Sequence, residues 1–278
     1  GFWNGPTGGW YINADLNRGR QMKNLLPDND DVLVFKHSQE GGSGWGEVVL
    51  NRPGRKNAIV GPLGRGLADG IRLLDRDEEV QAIVLSGAGG SFCSGLDLAA
   101  FNDLPEPEWL ANFSTIWRDA HRALFECATP IIGAMERYAI NGGAALAIAC
   151  DYLVVGEKAF LQVGEVQIGM AAPYNMAWLN LRHSESATAQ ITLIGDRIQG
   201  PELQRLGLAT VCVEDAEVLR QATDLAKRMA TFPAGTTAKI KRGMRARVTD
   251  SADDWFDRHT NVAGPSVKPS SMKADQKT

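Results

Sequence analysis

An α/β fold is what this sequence predicts, and three observations carry the prediction. Short apolar runs of strand length, at residues 82–85, 130–135 and 152–155, alternate with stretches whose apolar residues recur at helical spacing. Glycine-rich turns follow two of those runs, at 87–95 and 141–143. No internal repeat of fixed period is visible, and no linker divides the chain before about residue 230.

In chain order, residues 1–30 are rich in Gly, Asn, Trp and Arg without a period. They read as a partly ordered or tag-like extension, with Trp3, Trp10 and Tyr11 able to pin it to the body. Residues 32–35 and 46–50 read as two strands around a Gly-rich turn at 41–44, followed by a loop at 51–58. Leu63, Leu67, Ile71 and Leu74 then mark a helix. The apolar run at 82–85 enters a Gly-rich turn that ends Ser94-Gly95-Leu96-Asp97-Leu98. Trp109, Phe113, Ile116, Trp117, Ala120 and Leu124 share one face of an amphipathic helix. A buried strand at 130–135 leads to the stretch 140–151, in which Gly142-Gly143 opens a run of small and apolar residues closed by Asp151. Beyond Pro173 the pattern is mostly helical, with Val218, Ala222, Leu225 and Met229 as one stripe and a basic helical stretch near 236–247. A core over 31–230 and a helical C-terminal region over 231–278, ending in a loose polar tail, are the expected divisions.

Composition narrows the function classes. Hydrophobic residues make up 44% and charged residues 22% of 278, the balance of an ordinary soluble domain. A net charge of −4 argues against a general nucleic-acid or membrane-surface binder. No apolar run approaches the roughly 18 residues of a membrane span, and no secretory signal is visible. Cys93, Cys127, Cys150 and Cys212 are scattered, as reduced core cysteines of a cytoplasmic protein would be. The histidines show no metal-ligand spacing, so no metal site is expected.

Two motifs remain that could carry chemistry. Gly87-Ala88-Gly89-Gly90 fails the dinucleotide fingerprint because Phe92 occupies the third glycine position. No P-loop and no G-x-S-x-G elbow occur. The turns at Ser94-Gly95-Leu96 and Asn141-Gly142-Gly143 each follow a buried strand. Two such turns can aim main-chain N–H groups at one carbonyl oxygen, forming an oxyanion hole whose only sequence mark is small residues at the right spacing. The alternative for Gly142-Gly143 is a plain turn into a core helix.

Four blocks, in order and at matching spacing, resemble the crotonase (enoyl-CoA hydratase/isomerase) family over about residues 31 to 250. They are Val49-Leu50-Asn51-Arg52-Pro53 with Asn57-Ala58; residues 91–98; Pro130-Ile131-Ile132 through Gly142-Gly143 to Asp151; and Glu165-Val166-Gln167-Ile168-Gly169 with Pro173. The resemblance implies a spiral of ββα repeats and a helical C-terminal region that builds a homotrimer or a dimer of trimers. It implies an acyl-CoA thioester as substrate and no separate cofactor, since coenzyme A is part of that substrate. The thioester oxygen would sit between the N–H groups of Leu96 and Gly142. Asp97, Leu98 and Ala99 would line the same ligand, and Ala58 would approach the adenine end. Arg52, Arg55, Lys56, Lys239 or Lys241 would either meet CoA phosphates or serve as surface charges. For Asp97 and Asp151 the competing reading is a helix cap and a sink for backbone groups at a helix end.

Family hydratases use two glutamates to hold a water. Here the second position is Glu165, but the first aligns with Ala145. A single carboxylate suits a Δ3,Δ2-enoyl-CoA isomerase, which takes a proton from C2 and returns it at C4. The alternatives are a hydratase or another enolate-forming hydrolase or lyase, and a non-catalytic CoA-thioester binder. Tyr138, Tyr174 and Asn175 are polar candidates for the acyl pocket, with core packing as their other reading. Glu136-Arg137 stands where the family usually has Asn-Gly, and the last family helix looks incomplete after Asp254.

Overall fold

The computed structural model describes residues 22–264. β1 (Val32–Ser38) and β2 (Gly44–Leu50) pair antiparallel around the Gly-rich turn. Four passages of one plan follow, each climbing a strand of the main sheet, crossing a narrower second layer and returning through a helix. The first runs from β2 through Ile59 into α1 (Gly61–Asp75). The second runs from β3 (Val80–Gly87) through residues 93–96 to α2 (Phe113–Glu126). The third uses β4 (Ile131–Met135), β5 (Tyr138–Ile140) and α3 (Gly142–Ala149). The fourth uses β6 (Tyr152–Gly156), β7 (Phe160–Gln162) and α4 (Pro173–Arg182). The chain then continues through α5 (Glu185–Thr192), β8 (Ile198–Gln199), α6 (Gly200–Arg205) and β9 (Val211–Val213). It closes with α7 (Val218–Ala230), α8 (Thr236–Arg245) and α9 (Ala252–Ala263).

This is the expected ββα spiral. The main sheet has the order β1-β2-β3-β4-β6-β9, parallel except for β1. In the second layer Ile59 bridges Leu96, Cys93 bridges Ala139, β5 pairs parallel with β7, and β8 pairs antiparallel with β7. Because helices cover both faces of the main sheet, β2, β3 and β4 are buried along their whole length. Side chains alternate between the two covers. Ala82 and Val84 meet Val218, Ala222 and Ala226 of α7, while Ile83 and Leu85 join the core beneath α1 and α3. The stripe read from the sequence at Val218 and Ala222 is therefore the second core.

Helix α3 is apolar all round, buried from Gly143 to Ala149, as a helix inside a core must be. Asp151 lies just beyond it. Its carboxylate accepts from the Ile131 N–H at 2.8 Å and pairs with Lys241 at 2.7 Å and Arg182 at 3.2 Å. Burial would raise this carboxyl, but Lys241 and Arg182 outweigh burial and hold it below the usual range. The backbone group that the Asp151 carboxylate satisfies is therefore at the start of β4 and not at the end of α3, and its pairing with Lys241 ties α8 to the core.

Two regions differ from expectation or fall outside it. A last helix does form and runs on past Asp254, over Ala252–Ala263: Ser251 caps α9 by accepting from the Asp254 N–H at 3.1 Å, and Trp255 donates to the Ala177 carbonyl at 3.1 Å. The sequence signal was weak because α9 has a narrow apolar face, with Ala252 and Phe256 buried. Trp3, Trp10, Tyr11 and the tail from 265 lie outside the described residues. Among the described residues no helix is long and apolar enough to cross a membrane.

Candidate active site

The second and third passages are laced together backbone to backbone. The Cys93 N–H donates to the Tyr138 carbonyl and the Ile140 N–H to the Cys93 carbonyl, both at 3.1 Å. Gly143 has no room for a side chain, since a Cβ there would lie 2.4 Å from the Cys93 carbonyl oxygen. Gly95 takes φ +92°, and a Cβ there would lie 3.0 Å from the Ile140 carbonyl oxygen. These glycines let two turns approach each other more closely than any other residues would allow.

That approach leaves two N–H groups available. On one side Ile59 donates to the Gly95 carbonyl at 2.8 Å and Asp97 donates to the Ile59 carbonyl at 3.0 Å. The intervening Leu96 N–H therefore faces away from Ile59, and it has no acceptor among the described residues. Gly142 is the first residue of α3, where an N–H has no intrahelical acceptor and the helix dipole is positive. Leu96 and Gly142 are both partly exposed, whereas their neighbours Gly95 and Gly143 are buried.

Glu165 is delivered by the next passage. It begins a single 3₁₀ turn after β7, ended by left-handed Gly169. Asn141 joins this turn to α3: its N–H donates to Gln162 at 2.8 Å, and its Oδ1 accepts from the Gly164 N–H at 2.9 Å. Asn141 holds φ 51°, ψ −110°, a sparsely populated conformation kept by these bonds. The Asn175 Nδ2 donates to Glu165 Oε1 at 3.0 Å, while Glu165 Oε2 is buried with no partner among the described residues. Glu165 is 8% exposed, and burial pushes its carboxyl up to about 7 despite opposing bonds from its own N–H and Asn175. A carboxyl with that midpoint can both take and give a proton near neutrality. Ala145 is fully buried in α3, where its N–H donates to the Asn141 carbonyl at 3.1 Å.

The other sequence candidates fall into two groups. Asp97 is 4% exposed and engaged: it accepts from the Ala100 N–H at 3.1 Å and pairs with Arg55 at 2.7 Å and Arg52 at 3.0 Å. Burial would raise its carboxyl, but the bonds from Arg55, Ala100 and Arg52 prevail and hold it at about 2. It caps the turn after Leu98. Ala58 is buried, with its carbonyl accepting from Arg52. Leu98 is half-buried and Ala99 exposed on the lip of the Leu96 turn. Arg55, Lys56 and Lys239 are exposed, but Lys241 is neither surface charge nor phosphate contact: it is 2% exposed and bound to Asp151. Tyr174 stacks on buried His121, whose Nδ1 accepts from the Trp178 indole N–H at 2.9 Å. That Asn141 bridges two turns could not be read beforehand, because its only signal is the turn itself. Among the described residues no three His, Cys, Asp or Glu side chains are placed to hold a metal ion.

Comparison with known proteins agrees with this fold. The chain is 31% identical over 205 residues to a "probable enoyl-CoA hydratase" of Mycobacterium leprae, covering 71% of this chain and 70% of that one. It is 28% identical over 187 residues to the human mitochondrial Delta(3,5)-Delta(2,4)-dienoyl-CoA isomerase, covering 63% and 57%. A crystal structure of an enoyl-CoA hydratase/carnithine racemase from Magnetospirillum magneticum superposes with a TM-score of 0.69 at 28% identity, covering 80% of this chain and 82% of that one. The family model for enoyl-CoA hydratase/isomerase matches residues 40–268, so the chain belongs to the enoyl-CoA hydratase/isomerase family.

Proposed function

We propose that this chain moves a double bond, converting a 3-enoyl-CoA to the 2-enoyl-CoA. The thioester oxygen accepts hydrogen bonds from the Leu96 and Gly142 N–H groups, which strengthen as that oxygen gains charge. The Glu165 carboxylate takes a proton from C2, and the electron pair spreads through the dienolate onto the thioester oxygen. Protonated Glu165 then returns the proton at C4, and the enolate electrons re-form the carbonyl. No atom is gained or lost. One observation carries this reading: Glu165 is buried with a midpoint of about 7, and position 145, where a hydratase would place a second carboxylate, is a buried alanine. The human dienoyl-CoA isomerase among the relatives supports it. A homotrimer belongs to the same proposal, and Ile240 and Met244 on α8, 60% and 57% exposed, are apolar surface that such an assembly would cover.

Hydration is the second reading. Hydratase names among the relatives favour it, and so do two buried acceptors without donors, Glu165 Oε2 and Asn175 Oδ1, to which a water molecule can donate. Turnover of 3-enoyl-CoA and of crotonyl-CoA by the parent and by Glu165→Gln separates the readings. Isomerisation should dominate in the parent and fall by about 100-fold or more in the variant. Undiminished isomerisation by Glu165→Gln would sink the assignment, and rapid hydration of crotonyl-CoA by the parent would favour the second reading. A thioester that raises the melting temperature while none is converted would indicate a binder only.

A further inference from the structure

The Asn175 carboxamide touches both halves of the site. It sits in the first turn of α4, two residues after Pro173, and is 2% exposed. Its Nδ2 lies 3.0 Å from Glu165 Oε1 and 3.0 Å from the Asn141 carbonyl oxygen, and donates to both. Turning the amide over would set its oxygen against two acceptors, so the partners fix its orientation. The Asn141 carbonyl belongs to the same peptide unit as the Gly142 N–H. A donor on the oxygen of a peptide polarises it and makes its N–H a stronger donor in turn. The same bond helps hold that peptide in the unusual backbone conformation of Asn141.

We propose that Asn175 is a positioning residue for the reaction, one amide that fixes the Glu165 carboxylate and at the same time aims and polarises the Gly142 N–H. This rests on the reading of Glu165 as base and Gly142 as oxyanion donor. A merely structural asparagine would lower stability and leave the chemistry of folded protein alone. A positioning residue must alter kcat, the pH profile and the polarisation of bound thioester together.

The test uses Asn175→Ala and Asn175→Ser in the full chain, with 3-enoyl-CoA as substrate and a saturated acyl-CoA as a spectroscopic probe. We expect kcat to fall about 10- to 100-fold while KM changes less than about threefold, because Asn175 acts through groups whose bonds form in the transition state. The acid limb of the kcat profile should move up by about one pH unit in Asn175→Ala, since the ionised carboxylate loses a hydrogen bond. The carbonyl stretch of bound acyl-CoA should shift less from its free value than in the parent. Asn175→Ser keeps a hydroxyl donor and, should Asn175→Ala fail to fold, reports alone. If Glu165→Gln abolishes turnover but the folded Asn175 variants keep kcat, pH profile and carbonyl shift within twofold of the parent, the proposal is overturned while the base assignment stands. If Glu165→Gln remains active, the base assignment itself fails and takes the proposal with it.

Discussion

Replacing Glu165 by glutamine should stabilise the protein at pH 8 far more than at pH 5. Burial raises the folded-state midpoint of this carboxyl from 4.5 to about 7, so the folded protein binds the proton more tightly than the unfolded chain does. The sign follows. Below about pH 4.5 the carboxyl is neutral in both states and its stabilising effect is complete. As pH rises towards 7 the unfolded chain ionises freely while the folded protein resists, and stability drains away. Each tenfold difference in proton affinity is worth about 1.4 kcal/mol, so roughly 3 kcal/mol is lost by pH 8. Glutamine has nearly the same shape, carries no charge, and its carbonyl can still accept from Asn175 Nδ2. Urea unfolding of parent and variant at steps from pH 5 to 8 measures the gap, which should widen by about 2 to 3 kcal/mol in favour of the variant. A gap that stays flat across that range, or a variant less stable at pH 8, would show that Glu165 is not a desolvated carboxylate, and the explanation of its proton affinity would fall with it.

Other perturbations follow from the same packing. Gly143→Ala would drive a methyl group to 2.4 Å from a backbone oxygen of Cys93, which cannot rotate away; urea unfolding should show a loss of about 1–3 kcal/mol, with turnover lost as the two turns separate. Asp151→Asn should cost about 3–5 kcal/mol, because Lys241, Arg182 and Arg245 would be left facing one another without their shared anion. Lys241→Met should cost less in the same assay, since Arg182 and Arg245 still balance Asp151. An acyl-CoA ester at about 100 times its Kd should add roughly 2.7 kcal/mol of stability, read as a raised Tm, and should do so in Glu165→Gln as well as in the parent.

How legible all this was depends on the length scale of each signal. Strands covered on both faces appear as apolar runs, so β3, β4 and β6 could be read directly, and the helical stripe over 63–74 gave α1. β5, β7, β8 and β9 span only two or three residues, too few for any periodicity, and they are defined by their neighbours, β5, β7 and β8 in the second layer and β9 beside β6 in the main sheet. The close approach of the turns at Leu96 and Gly142 was legible because it demands glycine at 95 and 143, and glycine is visible in a sequence. The Asn141 and Asn175 links were not, since an asparagine that bridges two turns looks like an asparagine in a loop. Lys241 shows the converse error. A lysine in a basic helical stretch reads as solvated, and only the placement of Asp151 just beyond α3 shows why it is buried.

The proposed donors and the proposed base are separated in the sequence but joined in the ladder. Leu96, Gly142 and Glu165 stand on three consecutive passages, and hydrogen bonds between neighbouring passages set their spacing. Precision therefore comes from main-chain register, and side chains are left free to choose the reaction. Under the proposed isomerisation, Ala145 makes that choice. A second carboxylate there would repel the charge on Glu165, so that the two would share a proton and titrate as a pair. With alanine, Glu165 titrates alone, near neutrality, and a single group can take a proton and give it back. On that proposal the missing glutamate is a functional property of the site: it leaves one base free to act twice on the same molecule.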